Sequence, residues 1–167
     1  FRSTTAINGL SFLNDGKASG SVAGKEVSLT VLRSPIYANH EPYVPDENLE
    51  YVYMDQGVQT FTYGLYPHDG SWEDSRTVRR SREFNEKPTA LFETFHKGEL
   101  TQKASFLELS ADNVLLTVMK EAEDGSQDVI LRLVETAGRS CETGLKLPGL
   151  GRQTTLSFTP FEIKTVR

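Results

Sequence analysis

Apolar residues recur at every second position over most of this chain, the spacing that gives a strand one face for a core and one for water. In residues 26–33, Val27, Leu29 and Val31 alternate with Glu26, Ser28 and Thr30, which predicts a strand with those three side chains in a core. In residues 59–66, Phe61, Tyr63 and Leu65 alternate with Thr60, Thr62 and Gly64 and predict a second strand. Residues 113–123 and 128–135 flank Asp124-Gly125, a pair that turns a hairpin because glycine accepts positive φ at no steric cost. Near the end, Leu156 and Phe158, then Phe161 and Ile163, alternate on either side of Pro160, which marks a strand boundary or an edge. Residues 71–85 carry the one helical signal, with Ser71 as N-cap, Glu73 and Asp74 near the positive end of the dipole, and Pro88 as the stop. Their apolar positions, Trp72, Val78 and Phe84, are sparse, so a surface helix across a sheet edge is expected. The pattern predicts an all-β fold, an antiparallel β-sandwich with one short surface helix, with a barrel as the alternative.

Composition bounds what such a fold does. Leu, Ile, Val and Phe supply 43 of 167 residues, enough to build a core and too many for general disorder. That length fits one domain spanning residues 1–167. The longest uncharged apolar run, Val114 to Met119, is far short of the roughly 20 residues that cross a bilayer, so no membrane partner is expected. A net charge of -5 argues against a nucleic-acid partner. Arg76, Arg79, Arg80 and Arg82 cluster beside Glu73, Asp74 and Glu83 and read as a solvated helix face. A single cysteine, Cys141, suits a reducing compartment and reads as a packed or surface thiol. His40, His68 and His96 are too far apart in sequence for a local zinc motif, so no metal or cofactor is assigned to this chain. The start, Phe1 to Thr5, lacks both Met and a signal core, which is expected of a fragment of a larger protein.

Few residues carry chemistry. Asn14-Asp15-Gly16 closes an apolar run and reads first as a turn; the functional reading needs Asp15 to face a ligand. Arg33 leaves a strand into the proline-rich residues 34–50, where it either ion-pairs at the rim or hydrogen-bonds a sugar or a neighbouring carboxylate. That long loop also holds Tyr37, His40 and Tyr43. Residues 63–72 concentrate aromatics with His68 and Asp69, common equipment of sugar sites and equally a plain cover for the end of a sandwich. His68 has no partnered acid and nucleophile nearby in sequence, so no catalytic residue is assigned.

Three stretches, Gly9-Leu10-Ser11-Phe12-Leu13-Asn14-Asp15-Gly16-Lys17, Leu29-Thr30-Val31-Leu32-Arg33-Ser34-Pro35 and Asp55-Gln56-Gly57-Val58-Gln59-Thr60-Phe61-Thr62-Tyr63-Gly64-Leu65-Tyr66-Pro67-His68, in this order and spacing, resemble the C-terminal β region of glycoside hydrolase family 38 α-mannosidases. The closing Pro160-Phe161-Glu162-Ile163-Lys164-Thr165-Val166-Arg167 resembles the end of that family's chains. The Asn-Asp-Gly-Lys and Leu-Arg-Ser-Pro forms are similar to the bacterial and cytosolic-type branch. The resemblance implies a supersandwich-like C-terminal domain of a retaining exo-α-mannosidase, in which zinc and a carboxylate nucleophile act on a terminal mannoside. It implies that these groups sit in an N-terminal catalytic domain of the same chain, which is the expected partner, with the mannoside reached through the parent enzyme. It implies a cytoplasmic protein, leaves a homo-oligomeric parent open, and matches Arg33 to an arginine near substrate. Arg33, Asp15, Asn14, Tyr37 and His68 are the substrate-proximal candidates. An independent carbohydrate-binding sandwich is the alternative, with stacking by residues 37–43; a purely structural or oligomerisation module is a third reading.

Overall fold

The computed structural model describes residues 9–36 and 44–167. The chain divides into two compact units, one containing residues 9–11 and 65–167 and the other residues within 12–64. The fold is mostly antiparallel strand with one α-helix, an all-β sandwich.

The sandwich lies in the larger unit. One sheet has the order β10-β7-β6, from β6 (Val114–Glu121), β7 (Val129–Glu135) and β10 (Ile163–Val166); the other has the order β5-β8-β9, from β5 (Glu108–Leu109), β8 (Cys141–Leu147) and β9 (Arg152–Phe158). Val114, Leu131 and Leu133 from the first sheet and Leu145, Leu147 and Phe158 from the second form the buried cluster between them. Every second residue of β7 turns inward, Leu131, Leu133 and Glu135, as the sequence period requires. The β6–β7 hairpin closes where Asp124-Gly125 predicts it, with Gly125 at φ 79°. Opposite Arg132 the ladder slips between Leu116 and Val118, and the Thr117 hydroxyl, displaced by this bulge, donates to the Arg132 carbonyl at 2.9 Å. Pro160 falls between two edge strands, β9 and β10, where its missing N–H leaves no ladder bond unmade.

Other expectations shift. Phe161 adopts φ 57° and is exposed along with Ile163, so the half-buried positions of β10 are Lys164 and Val166. The Lys164 ammonium lies 4.8 Å from the centre of the Phe158 ring, which lets a cation cover an apolar face while its charge stays near water. The helix α1 runs over Thr77–Asn85, not from residue 71. Ser71 instead caps the turn that precedes the helix: its hydroxyl accepts from the Asp74 N–H at 3.3 Å, and Arg76 enters the left-handed region before the helix begins. The arginine cluster is paired rather than merely solvated. Arg76 meets Asp112 at 2.5 Å, Arg80 meets Glu83 at 2.6 Å, and Arg79 donates to the carbonyls of Asp112 and Val114, tying α1 to the start of the edge strand β6.

In the smaller unit, β2 (Gly20–Ala23) and β3 (Glu26–Leu29) form a hairpin turned at Gly24, which sits at φ 61°. β3 therefore ends four residues before Arg33, and the core expected around Val27 and Val31 is absent: Val27 is 53% exposed and Val31 is also exposed. Cross-strand pairing joins Val22 to Val27 without covering either. The remaining strands, β1 (Gly9–Asn14) and β4 (Tyr63–His68), form a two-stranded sheet; β4 starts later than residues 59–66 predict, and Tyr63 and Leu65 are exposed.

Candidate functional site

The end of the sandwich is organised by a carboxylate. Glu135 occupies an inward slot of β7 where the pattern would place an apolar side chain, and its exposure is 0%. Its Oε1 accepts from the Asn113 amide at 2.8 Å and the Ala137 N–H at 2.7 Å. Its Oε2 accepts from the N–H groups of Gly138 at 2.8 Å, Arg139 at 3.2 Å and Phe161 at 2.8 Å. Burial pushes this carboxyl up, but the N–H groups of Phe161 and Ala137, the Asn113 amide and the Arg139 N–H outweigh it and hold Glu135 below the usual glutamate range. Five donors on one anion pin two loops, residues 136–139 and 159–161, onto the strand ends. Gly138 makes the arrangement possible: it sits at φ 66°, and a Cβ there would lie 2.7 Å from the Phe161 ring. The sequence hint is an acid placed on the core face of a strand and followed by Thr-Ala-Gly, which reads as a break in the pattern.

Beside this hub lies a cleft of about 310 Å³ lined by Trp72, Asp74, Arg76, Asp112, Asn113 and Arg139, among others. Two ion pairs occupy it: Arg139 meets Asp74 at 2.6 Å, and Arg76 meets Asp112. The hydrogen bond from Arg139, aided by Ser71, holds Asp74 below the usual carboxylate range. A general acid needs the opposite shift. The other carboxyls whose acidity departs from normal, Asp46, Glu123, Asp124, Glu135 and Glu162, are also pushed down. The half-buried Cys141 packs against the core cluster.

His68 belongs to the larger unit and locks β4 to its surroundings. Its Nε2 lies 2.9 Å from the Ser11 hydroxyl, which lies 2.9 Å from the Thr77 hydroxyl. Among the described residues Nδ1 is buried without a hydrogen-bond partner, which favours the tautomer with its proton on Nε2, because that orphans only a lone pair. Among the described residues no carboxylate hydrogen-bonds the ring, which separates this pair from a nucleophile–base arrangement. The imidazole stacks at a tilt against Tyr66, 5.5 Å between centres, and lies flush on Gly9, where a Cβ would come within 2.3 Å of it. Gly9→Ala should therefore destabilise the fold by about 1–3 kcal/mol. In a double-mutant cycle with His68→Ala, chemical denaturation should show most of that loss vanish once the ring is gone; strict additivity would contradict the packing described.

Asn14, Asp15 and Arg33 lie in the smaller unit. Asn14 Oδ1 accepts from the N–H groups of Gly16 and Lys17 at 3.1 and 2.8 Å, and Asp15 Oδ1 accepts from the Thr62 N–H at 2.9 Å. Both side chains build the turn after β1. Arg33 is exposed and, among the described residues, makes no hydrogen bond or ion pair; its neighbour Ser34 donates to the Met54 carbonyl at 2.7 Å, and the Met54 N–H donates to the Pro35 carbonyl at 2.9 Å. The backbone next to Arg33 is thus tied to residues 53–54. Tyr63 stacks on Phe12 with centres 5.5 Å apart and keeps about half its surface exposed. Tyr37 and the rest of residues 37–43 lie outside the described residues. Among the described residues no three His, Cys, Asp or Glu side chains gather as a metal site, so the zinc that the resemblance implies has no ligand set among them. No helix among them is long and apolar enough to cross a membrane.

No protein-family model matches the chain, and no solved structure matches it significantly. Curated proteins do. Alpha-mannosidase G of Dictyostelium discoideum is 28% identical over 95% of this chain and 16% of its own length. Alpha-mannosidase 2C1 is 33% identical over 84% of this chain in Homo sapiens and 32% identical over 78% in Mus musculus, covering 12% and 11% of those proteins. These relatives are eukaryotic, and the chain spans a small part of each. The chain belongs with the α-mannosidases, where it fits a C-terminal domain of these longer proteins.

Proposed function

We propose that this chain is the non-catalytic C-terminal β domain of a zinc-dependent retaining exo-α-mannosidase of glycoside hydrolase family 38, flanking and stabilising an active site built by an N-terminal catalytic domain. The observation that carries this reading is the pairing of coverages: α-mannosidases match most of this chain, yet it accounts for only 11–16% of each. The paired charges of the cleft and the downward-shifted carboxyls fit a supporting role. A cytoplasmic location is part of the same proposal and agrees with the single thiol. Hydrolysis of an aryl α-mannoside by the full-length protein, followed by NMR, should release the α-anomer first and stop on chelation until zinc is restored. First release of the β-anomer would overturn retention, and indifference to chelation would overturn the zinc dependence.

Within this proposal Arg33 is the substrate-side residue, because its guanidinium is unpaired among the described residues and its neighbour is tied in place. Arg33→Ala in the full-length enzyme should lower kcat/KM by roughly 10- to 100-fold, about 1.4–2.7 kcal/mol, with Tm barely changed. Wild-type kcat/KM would remove Arg33 from the site. The second reading, glycan binding by this chain itself, draws on the half-exposed Tyr63 ring stacked on Phe12. Calorimetric titration of the chain with mannosides tests it: saturable heat would favour binding, and no heat would remove it.

A further inference from the structure

Between α1 and β5 the chain runs through residues 86–107 without helix or strand. Loops this long without structure are uncommon in compact domains and are usually functional or disordered. Composition argues against disorder, which favours charge and avoids aromatics. Leu91, Phe92, Phe95, Leu100 and Phe106 stand on this segment, each at least 78% exposed. Its polar contacts are local: Thr94 donates to Glu93, Thr101 to the Lys103 carbonyl and Ser105 to the Leu107 carbonyl, while the His96 ring meets the Lys97 carbonyl. Among the described residues, 87–106 make no backbone–backbone hydrogen bond. The apolar side chains are therefore uncovered, and the main chain of 87–106 pairs with no other main chain, inside residues 9–36 and 44–167.

We infer that residues 87–106 form a docking arm that packs onto the part of the same polypeptide lying outside residues 1–167. This rests on the reading that the chain is one domain of a full-length α-mannosidase. The occupant follows from the coverages: the match to the Dictyostelium protein takes in 95% of this chain and so includes the arm, yet spans only 16% of that protein. Most of a relative's surface is thus absent around this segment. Three phenylalanines with two leucines carry on the order of 700 Å² of apolar side-chain surface, close to the ~800 Å² that one partner gives to a standard interface. A main chain without main-chain partners among the described residues suits strand addition to a sheet edge, where main-chain bonds give affinity and alternate side chains fill pockets.

The test uses the full-length protein carrying a photoreactive benzoylphenylalanine at Phe95. Irradiation should give an intramolecular cross-link to a peptide outside residues 1–167. In parallel, Phe92→Asp with Phe95→Asp should raise trypsin cleavage at Lys97 and Lys103 at least tenfold. Cross-links confined to residues 1–167, cross-links only to a second copy, or none at all would overturn the arm, as would cleavage of the unaltered protein at Lys97 as fast as in the double variant. Turnover of an aryl α-mannoside is read on the same samples. The expected cross-link without turnover would sustain the arm and defeat the mannosidase reading; turnover without the cross-link would do the reverse.

Discussion

Glu135→Gln should destabilise the protein by roughly 3–5 kcal/mol, because it replaces a buried anion that accepts five hydrogen bonds with an amide whose NH₂ must face some of the same donors. Both loops that Glu135 holds, 136–139 and 159–161, lose their anchor together. The pH dependence has a definite sign. Glu135 is held below its unfolded range, so its contribution is fully present above the ordinary glutamate pKa, about 4.3, and is lost as pH falls through the lower folded value. Urea unfolding of both proteins from pH 7 to pH 2 should show a gap between wild type and variant that narrows only at the acid end. A constant gap, or one below about 1 kcal/mol at pH 7, would show that the anion is not the anchor.

Leu133→Ala should cost about 2–5 kcal/mol, since the side chain is 0% exposed in the central strand of its sheet and packs between the two layers of the sandwich. Val27→Ala, in a strand with an equally regular alternation, should cost less than about 0.5 kcal/mol because Val27 already faces water. Equal losses from the two substitutions would contradict the placement of the core.

That contrast marks how far the sequence could be read. Period two says which residues share a face of a strand; it does not say whether another layer covers that face. Leu131 and Leu133 are covered by β8 and β9, whereas Val27 lies on a two-stranded hairpin and stays exposed. Turn chemistry was the firmer guide, because it is set by local backbone conformation. Asp124-Gly125 closes its hairpin, Pro160 separates two strands, and Asn14 with Asp15 build a turn. The helix began late because Ser71 and Asp74 satisfy each other in a separate turn and Arg76 breaks the helical path. Glu135 escaped notice since a carboxylate on a core face is paired by loops distant in sequence, from Asn113 to Phe161. Arg33 remains a proposal carried by the resemblance and by a guanidinium that is unpaired among the described residues.

The central claim is that this chain supports an α-mannosidase whose chemistry lies elsewhere in the protein. Steady-state turnover of an aryl α-mannoside by equimolar full-length protein and residues 1–167 tests it most directly. The full-length protein should turn over and the shorter chain should give only the buffer rate, because a retaining glycosidase needs a nucleophile and an acid held across one bond, and the carboxyls with altered acidity here are shifted away from acid catalysis. Turnover by residues 1–167 alone, or none by the full-length protein, would contradict the claim.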